Sequence, residues 1–552
     1  MSVASTLDQS SHRISTTSQA AKPRASREGL WLAIMSFFVY AGAAVYLVYG
    51  MHYMAGDALS RVANAYYVLF SRDPHLGAIG FVWNPLPSVL ELPLVALRPL
   101  FPSVVTHGLA GSAVSAALGA IAVYHLYHIL SKTIVVPRTI RLVIISAFAL
   151  NPMVVLYSAN GMSDMMWIAC ILGTYSGLLD FLQDGQLRRL VSAGLWLAAG
   201  FGMRYEAIPF GFMLILAIAV AMWGRESASK WHGAAIIFGA PVVFASGVWI
   251  YFNWLIMKNP LYFLNSSYGN LAQTSTGAYM TPAIAAADHH LLGSLIYVLR
   301  FGELYWPIYI GMAFALWFCF GKRRDPRAIV LVFGTIGTEL LEFALLYKGS
   351  LGEWDRYFME FIPNGILLMA FLIFKTRSMW ALRRSLWKFA MLAFMGIIVI
   401  SGSVGTVVAL QQTSLGSPDG RVIDAAYHHQ SLKGTIQDPF YGGSSNVVSY
   451  ANQHPHMTIL ADTFIDWPVV IRARHLNQFT ITSDYQFNSI LYNPRGRVTA
   501  FLVPRPYQVA QLDAINRAWP GLWAGHVPWV KLIKQFPGTI QYRLYKILPS
   551  AP

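Results

Sequence analysis

The sequence predicts an α-helical polytopic membrane protein of about 11 transmembrane helices, followed by a soluble C-terminal α/β domain. Hydrophobic residues make up 55% of the 552 residues, whereas charged residues make up only 12%. Long uncharged runs recur before residue 410; Leu30–Gly50, for example, has 21 residues without a charge. A helix of that length crosses about 30 Å of hydrocarbon. In lipid such runs must be helical, because unpaired backbone groups there are strongly unfavourable.

The chain divides into three predicted parts. Residues 1–29 are polar and Ser/Thr-rich, and they predict a disordered cytoplasmic tail before a retained membrane anchor. Residues 30–410 form the predicted transmembrane domain. Residues 85–101, inside the first outer loop (51–103), are apolar but rich in proline, so we place them on the membrane surface. The predicted crossings lie near 30–50, 104–130, 139–158, 164–183, 190–203, 206–223, 232–257, 291–320, 328–347, 357–374 and 388–410.

The distribution of Lys and Arg predicts the orientation. With a cytoplasmic N-terminus, 20 of the 40 Lys and Arg residues fall in cytoplasmic segments and 7 in short outer loops, as the positive-inside rule requires. If 85–101 crossed, the basic stretch KRRDPR would lie outside. We therefore predict a multi-pass protein of the cytoplasmic (inner) membrane. The +15 net charge follows from this clustering, and no nucleic acid partner is expected.

Residues 411–552 differ in composition, with Pro, Gly, Asn, Asp and His throughout and no run long enough to span a membrane. Short β-rich runs alternate with helix-like stretches such as Val509–Trp519, which is typical of an α/β domain. We predict that this domain is extracytoplasmic. The β-rich runs are Met457–Ala461, Phe479–Thr482, Val498–Val503 and Gln541–Ile547.

Two outer loops present an aspartate at the membrane boundary. Asp57 begins the first loop, and Arg61 would lie on the same face of a helix over 58–70. Asp164 lies in the second loop, where one crossing ends and the next begins. A carboxylate in this position suits general-base catalysis on a hydroxyl or amine. Either aspartate could instead cap the helix that follows it.

Two further outer segments carry candidate binding residues. Arg204 and Glu206 lie in a turn between two short apolar runs, and Arg356 and Tyr357 lie where a later crossing begins. Arginines in a cavity at the membrane boundary are natural ligands for a phosphate. Alternatively, Arg204 could pair with Glu206 or an aspartate and only hold helices together, and Tyr357 could belong to the interfacial belt of aromatic residues.

The order of these features resembles the C-type glycosyltransferase superfamily (GT-C), which includes protein O-mannosyltransferases and the aminoarabinose transferase that modifies lipid A. The resemblance covers roughly residues 30–375. It is carried by the acid that opens the first loop, the NPLP stretch before a surface helix, NPMVVLYSANGMSD, AGLWLAAGFGMRYEAIP and the RYF…IP stretch.

The resemblance implies catalysis by Asp57, with a second acid at Asp164, and donor-phosphate binding by Arg61, Arg204 and Arg356. Tyr357 and Glu206 are further substrate-binding candidates.

This sequence departs from the family pattern in two places. Ala58 follows Asp57 where many members have a second acid, and Asn84 replaces the lysine that precedes the proline pair in relatives of the lipid A enzyme. No metal ligands are assigned; members of the superfamily with a bound metal leave a divalent metal possible, and no other cofactor is expected.

We therefore expect an inverting membrane glycosyltransferase that moves a hexosyl or pentosyl group from a polyprenyl-phosphate donor to a lipid, glycan or protein acceptor at the outer face of the membrane. Its partners would be this donor, membrane lipids and the acceptor. The alternatives are a lipid-linked saccharide transporter, a polymer ligase or a non-catalytic membrane scaffold. A transporter should carry charged residues along a continuous path through the bilayer.

Overall fold

The structure is a computed structural model that describes residues 24–224, 226–278, 280–320, 324–352, 354–381, 385–412, 418–435, 437–440 and 442–549. Most of the predicted tail, 1–29, lies outside the described residues. The first helix already begins at Arg24, and Glu28 near its start forms an ion pair with Arg138.

The described part of the chain is mostly helical. Its α-helices, numbered along the chain, are α1 Arg24–Val45, α2 Gly56–Phe70, α3 Leu86–Val95, α4 Ser103–Thr106, α5 Leu109–Lys132, α6 Arg138–Ala149, α7 Pro152–Ala159, α8 Ser163–Asp184, α9 Leu187–Met203, α10 Ala207–Met222, α11 Ala228–Met257, α12 Tyr262–Asn265, α13 Asn270–Ser275, α14 Pro282–Ala287, α15 Leu291–Arg300, α16 Ile308–Trp317, α17 Pro326–Tyr347, α18 Phe361–Ala381, α19 Ser385–Gln411, α20 Pro418–Tyr427, α21 Gly443–Gln453, α22 Thr463–Val470, α23 Phe487–Tyr492 and α24 Ala514–Ala518. The β-strands are β1 Ile459–Ala461, β2 Phe479–Ile481, β3 Ala500–Pro504, β4 Val530–Phe536 and β5 Tyr542–Ile547.

Seven of the described helices are long and apolar enough to cross a membrane: α1 with its π-helical extension, α5, α8, α11, α17, α18 and α19. Helices α6 and α7 form an eighth apolar segment that bends by 55° at Pro152, which cannot continue the helical hydrogen-bond ladder. The other three predicted crossings fall on shorter or broken helices. The runs 190–203 and 206–223 form α9 and α10, whereas 291–320 breaks into α15, a 3₁₀ segment and α16.

Helix α8 is the central helix of the bundle, because 94% of the residues in its apolar 18-residue stretch are buried. Small residues allow its neighbours to approach closely. A Cβ on Gly177 would lie 2.8 Å from the carbonyl oxygen of Arg189, at the start of α9. Close approach over small residues is a common way for membrane helices to associate where lipid supplies no hydrophobic driving force.

The C-terminal strands form one five-stranded sheet in the order β2-β1-β3-β5-β4. Strand β1 is parallel to β2 and β3, whereas β5 is antiparallel to β3 and β4. The four predicted β-rich runs form β1, β2, β3 and β5. The edge strand β4 was not predicted, because its side chains are mostly exposed and its pattern lacks a buried face.

Helix α2 connects the membrane bundle to this sheet. Its residues Val62, Tyr66 and Tyr67 share a hydrophobic core with residues of β1, β3, α21 and α22. The opposite face of α2 carries Asp57 and Arg61 toward the bundle. The C-terminal sheet therefore supports the helix that holds two predicted site residues.

Candidate active site

A cavity of about 530 Å³ opens at one end of the helix bundle. Its walls come from the loop before α2 and the start of α2, from the ends of α7 and α9, and from the starts of α8 and α10. The C-terminal half of α17, the 3₁₀ turn Asp355–Phe358 before α18 and the segment after α19 complete it. Its charged lining residues are Asp57, Arg61, Arg204, Glu206, Glu342, Arg356, Asp419 and Arg421.

Six of the seven predicted site residues line this one cavity; only Asp164 does not. Helix α8 begins at this end of the bundle, α9 returns to it, and α10 leaves it again. The predicted residues are far apart in sequence, but they lie at helix ends that share one level of the bundle. The site assignments themselves remain predictions.

Asp57 lies in the first turn of α2 and forms an ion pair with Arg356. The guanidinium Nη2 of Arg356 donates to Asp57 Oδ2 at 2.7 Å, and the Asp57 side chain is 40% exposed. Burial raises the pKa of Asp57, but attraction to Arg356 and Arg61 outweighs it, so the pKa lies below the usual value. Asp57 is therefore ionised at neutral pH and faces the cavity.

Arg61 lies one turn along α2 from Asp57. Its guanidinium stacks on the Trp83 ring at 4.9 Å, and its Nε and Nη1 atoms are buried with no hydrogen-bond partner among the described residues. Burial lowers the pKa of Arg61, against the attraction of Asp57 and Asp164. A buried guanidinium with unused donors is suited to an anionic ligand.

Asp164 and Arg204 form a buried ion pair behind the cavity surface. Arg204 Nη1 donates to Asp164 Oδ1 at 2.6 Å, and Arg204 Nε donates to Glu206 Oε1 at 2.6 Å. The Asp164 side chain is only 1% exposed. The structure thus contains the pairing that the sequence left as an alternative for Arg204, and this arginine connects Asp164 to the cavity that it lines.

The capping alternative for the two aspartates is wrong. The N-cap position of α2 is Ala55 and that of α8 is Met162. At neither position does a side chain accept a hydrogen bond from the first turn of the helix. Asp164 is directed inward after a turn at Gly161, where φ is +80°. A Cβ on Gly161 would lie 3.0 Å from the backbone of Gly111, so the turn requires glycine.

Tyr357 lies between two cations. The guanidinium of Arg204 lies 5.5 Å from the centre of its ring, and that of Arg356 lies 5.2 Å away. Cation–π contacts of this kind hold arginines in fixed positions at modest energetic gain. In this structure Tyr357 therefore packs between the two arginines of the cluster.

Several lining residues were missed from the sequence. Asp419 and Arg421 lie just beyond the last crossing, in a segment that had been assigned to the C-terminal domain. The signal that pointed to Asp57 and Asp164, an acid at the outer end of a crossing, would also have found Asp419. Glu342 on α17 lines the cavity too, but an acid inside an apolar run gives no indication of which helix face it occupies.

Within the described ranges, no three His, Cys, Asp or Glu side chains are placed to hold a metal ion.

Asn84, at the position where related enzymes carry lysine, donates to the carbonyl oxygen of Phe201 at 2.5 Å. It therefore fixes the first loop against the end of α9.

The ion-paired cluster of Arg204, Asp164 and Glu206 leads to a prediction about the stability of the fold. Replacing Arg204 with methionine leaves Asp164 and Glu206 buried without their cation, which we expect to lower the free energy of unfolding by about 3–5 kcal/mol. Thermal unfolding of the purified protein in detergent measures this loss. The matched control is Arg188→Met at the exposed opposite end of α9, with an expected change within about 0.5 kcal/mol. Equal unfolding temperatures for both variants would contradict a stabilising role for the cluster.

Comparison with known proteins gives one family match and several similar structures. The sequence model of dolichyl-phosphate-mannose-protein mannosyltransferases matches residues 102–250. No curated protein sequence matches the chain. The matched segment runs from α4 to α11 and includes Asp164 and Arg204.

The fold is similar to that of ArnT from Cupriavidus metallidurans. The crystal structure of ArnT bound to undecaprenyl phosphate has a TM-score of 0.54 and 11% sequence identity, covering 96% of this chain and 100% of that chain. The apo structure of the same protein gives a TM-score of 0.53 with the same identity and coverage. An apo oligosaccharyltransferase from Archaeoglobus fulgidus has a TM-score of 0.46 and 11% identity, covering 93% of this chain and 74% of that chain.

These findings confirm the predicted fold class, a multi-pass helical membrane protein with a small C-terminal sheet. The family match over residues 102–250 agrees with the predicted resemblance to C-type glycosyltransferases, to which protein mannosyltransferases belong. The family match supports the predicted class of enzyme, a glycosyltransferase.

Proposed function

We propose that this chain is an inverting glycosyltransferase that moves a sugar from a polyprenyl phosphate to an acceptor at the outer face of the cytoplasmic membrane. The observation that carries the proposal is the pairing, one helical turn apart, of an ionised cavity-facing carboxylate, Asp57, and a buried guanidinium with unused donors, Arg61. A site that transfers sugar from a phosphate needs both groups: a base for the acceptor and a cation for the leaving phosphate.

The donor phosphate is proposed to bind at Arg61. ArnT, whose fold this chain shares, has been crystallised with undecaprenyl phosphate, which is the species that a polyprenyl-phosphate sugar leaves behind. Arg61 has two donor nitrogens without a described partner, whereas Arg204 already holds Asp164 and Glu206. Arg356, engaged with Asp57, supplies further positive charge. Preorganised cations in a site of low dielectric stabilise developing negative charge more than water does.

The proposed reaction is a single displacement. The oxygen or nitrogen of the acceptor attacks the anomeric carbon while the bond from that carbon to the phosphate oxygen breaks. The electron pair of that bond leaves with the polyprenyl phosphate, and the proton of the nucleophile passes to Asp57. Because attack occurs on the face opposite the leaving phosphate, the configuration at the anomeric carbon is inverted.

The basic residues of the structure support an outward-facing cavity. Lys132, Arg138 and Arg189 lie where α5 ends and where α6 and α9 begin, at the end of the bundle opposite the cavity. Under the positive-inside rule that end is cytoplasmic. In this orientation the C-terminal sheet, which packs on α2, is extracytoplasmic, and residues 411–552 form the proposed outer domain.

Mass spectrometry of cell-envelope lipids, glycans and proteins, with and without this gene, tests the proposal. We expect at least one species to carry the mass of a sugar only when the gene is present. Cells that carry the gene encoding Asp57→Asn should have the same envelope composition as cells that lack the gene. An envelope that is identical with and without the gene would remove the proposed function. Accumulation of an unmodified lipid-linked saccharide on one side of the membrane, with no change of any acceptor, would instead favour a transporter.

A further inference from the structure

The segment that follows the last long membrane helix returns to the cavity. Helix α20 begins at Pro418, immediately after the undescribed residues 413–417, and Asp419, Arg421, Gln437 and Pro439 from this segment line the cavity. The backbone N–H of Leu432 donates to the carbonyl oxygen of Met51 at 2.7 Å. Residues 418–435 and 437–440, named here the return segment, are therefore attached to the loop that leads into Asp57.

Asp419 is the carboxylate of the return segment. Its side chain is buried, at 4% exposure, and its Oδ2 accepts a hydrogen bond from the hydroxyl of Tyr157 at 2.6 Å. Tyr157 lies on α7 and is itself only 2% exposed. Both residues line the cavity. Tyr157 therefore fixes one oxygen of the carboxylate in a defined position at the cavity wall.

The charge that joins Asp419 to the predicted catalytic residue is Arg356. This guanidinium pairs with Asp57 and also attracts the carboxylate of Asp419. The buried phenol of Tyr53 lies close enough to both carboxylates to be affected by their charges. Asp57, Asp419 and Arg356 all line the cavity, so two carboxylates from opposite ends of the transmembrane region in sequence interact with one arginine.

We propose that Asp419 binds the nucleophilic hydroxyl or amine of the acceptor, and that the return segment forms the acceptor-binding wall of the cavity. This inference rests on the proposed function. A carboxylate repels a phosphate, so Asp419 is unsuited to the donor headgroup, but it accepts hydrogen bonds from hydroxyl and ammonium groups strongly. The polyprenyl chain of the donor must lie among the membrane helices, whereas the return segment lies beyond the last of them.

A pH dependence follows from the surroundings of Asp419. Burial raises the pKa of Asp419 to about 6, against the hydrogen bond from Tyr157 and the attraction of Arg356. Asp164 on α8 raises this pKa further, and Tyr53 faces the same group. Asp419 is charged above this pH and neutral below it, so acceptor binding should weaken as the pH falls through 6. Protonation of Asp57, whose pKa lies below its usual value, would act only at much lower pH.

The test compares Asp419→Asn with Asp424→Asn, an exposed aspartate on the same helix. The full-length proteins are assayed in membranes that contain the endogenous donor, with an envelope extract from cells lacking the gene as the source of acceptor. Binding of undecaprenyl phosphate is measured separately in lipid nanodiscs. For Asp419→Asn we expect an apparent KM for the extract at least tenfold above wild type, an undecaprenyl phosphate Kd within twofold of wild type, and no rate change near pH 6. Asp424→Asn should match wild type in all three.

Three outcomes overturn the inference. Wild-type KM and pH dependence in Asp419→Asn would remove Asp419 from acceptor binding. A loss of undecaprenyl phosphate binding in parallel with transfer would make Asp419 part of the donor site or of the fold. The unfolding temperature of Asp419→Asn separates these two cases, because it falls only if Asp419 supports the fold. If wild-type protein transfers no sugar, the proposed function fails and the inference fails with it, whereas transfer by wild type that is lost in Asp57→Asn supports the function whatever Asp419 does.

Discussion

Replacing Asp57 with asparagine is expected to lower the rate of sugar transfer by about a thousandfold, within the range that general-base catalysis contributes. Asparagine has nearly the same shape but cannot accept the acceptor's proton. The rate of product formation in membranes, normalised to the amount of protein, measures the effect. The fold should survive, because α2 remains packed on the core of the C-terminal sheet through Val62, Tyr66 and Tyr67.

The control for this substitution is Asp73→Asn. Asp73 belongs to the same outer loop and is partly exposed, but it does not line the cavity. The Asp73→Asn variant should transfer sugar at the wild-type rate. A rate for Asp57→Asn within tenfold of wild type, in a protein that unfolds at the wild-type temperature, would exclude Asp57 as the base.

Replacing Arg61 with glutamine is expected to weaken the binding of undecaprenyl phosphate by about 30-fold to 100-fold, which corresponds to about 2–3 kcal/mol. Arg61 has buried donor nitrogens that no described residue accepts from, so the phosphate would be their partner. Arg61→Lys keeps the charge but loses the planar fork of donors, and it should recover only part of the affinity. The Kd is measured with the full-length protein in nanodiscs.

Arg98→Gln is the matched control for Arg61. Arg98 lies in the same outer loop and also stacks on an aromatic ring, with its guanidinium 4.7 Å from the centre of Tyr66, but it does not line the cavity. Its replacement should leave the Kd unchanged. If Arg61→Gln bound undecaprenyl phosphate as tightly as wild type, the phosphate would have to bind elsewhere.

The general fold was predictable because the bilayer leaves few choices. An uncharged run of about 20 residues must be a helix in lipid, so seven of the predicted runs overlap long helices, namely α1, α5, α8, α11, α17, α18 and α19. The bend follows from Pro152, which lies inside the predicted run 139–158, and hydropathy alone does not reveal it. Nor does hydropathy alone reveal the break of 291–320 into α15, a 3₁₀ segment and α16. Strand β4 was missed because an edge strand with both faces exposed lacks the alternation that reveals a half-buried strand.

The end of the bundle at which the site residues lie was predictable, but the direction of each side chain was not. Asp57, Arg204 and Arg356 come together because they lie at helix ends on one side of the bundle, and the sequence locates those ends well. Asp164 lies at the same end, but rotation of α8 and the turn at Gly161 direct it into the bundle. Sequence spacing does not give that rotation. Asp419 was missed because composition assigned its segment to the outer domain.

A cryo-EM structure of the full-length protein in nanodiscs with undecaprenyl phosphate tests the central claim most directly. We predict phosphate density in the cavity beside Asp57, with its oxygens within hydrogen-bond distance of the Arg61 guanidinium and its polyprenyl chain extending between membrane helices. Phosphate density at another site, with the cavity at Arg61 and Asp57 unoccupied under saturating lipid, would contradict the proposal that this cavity holds the donor.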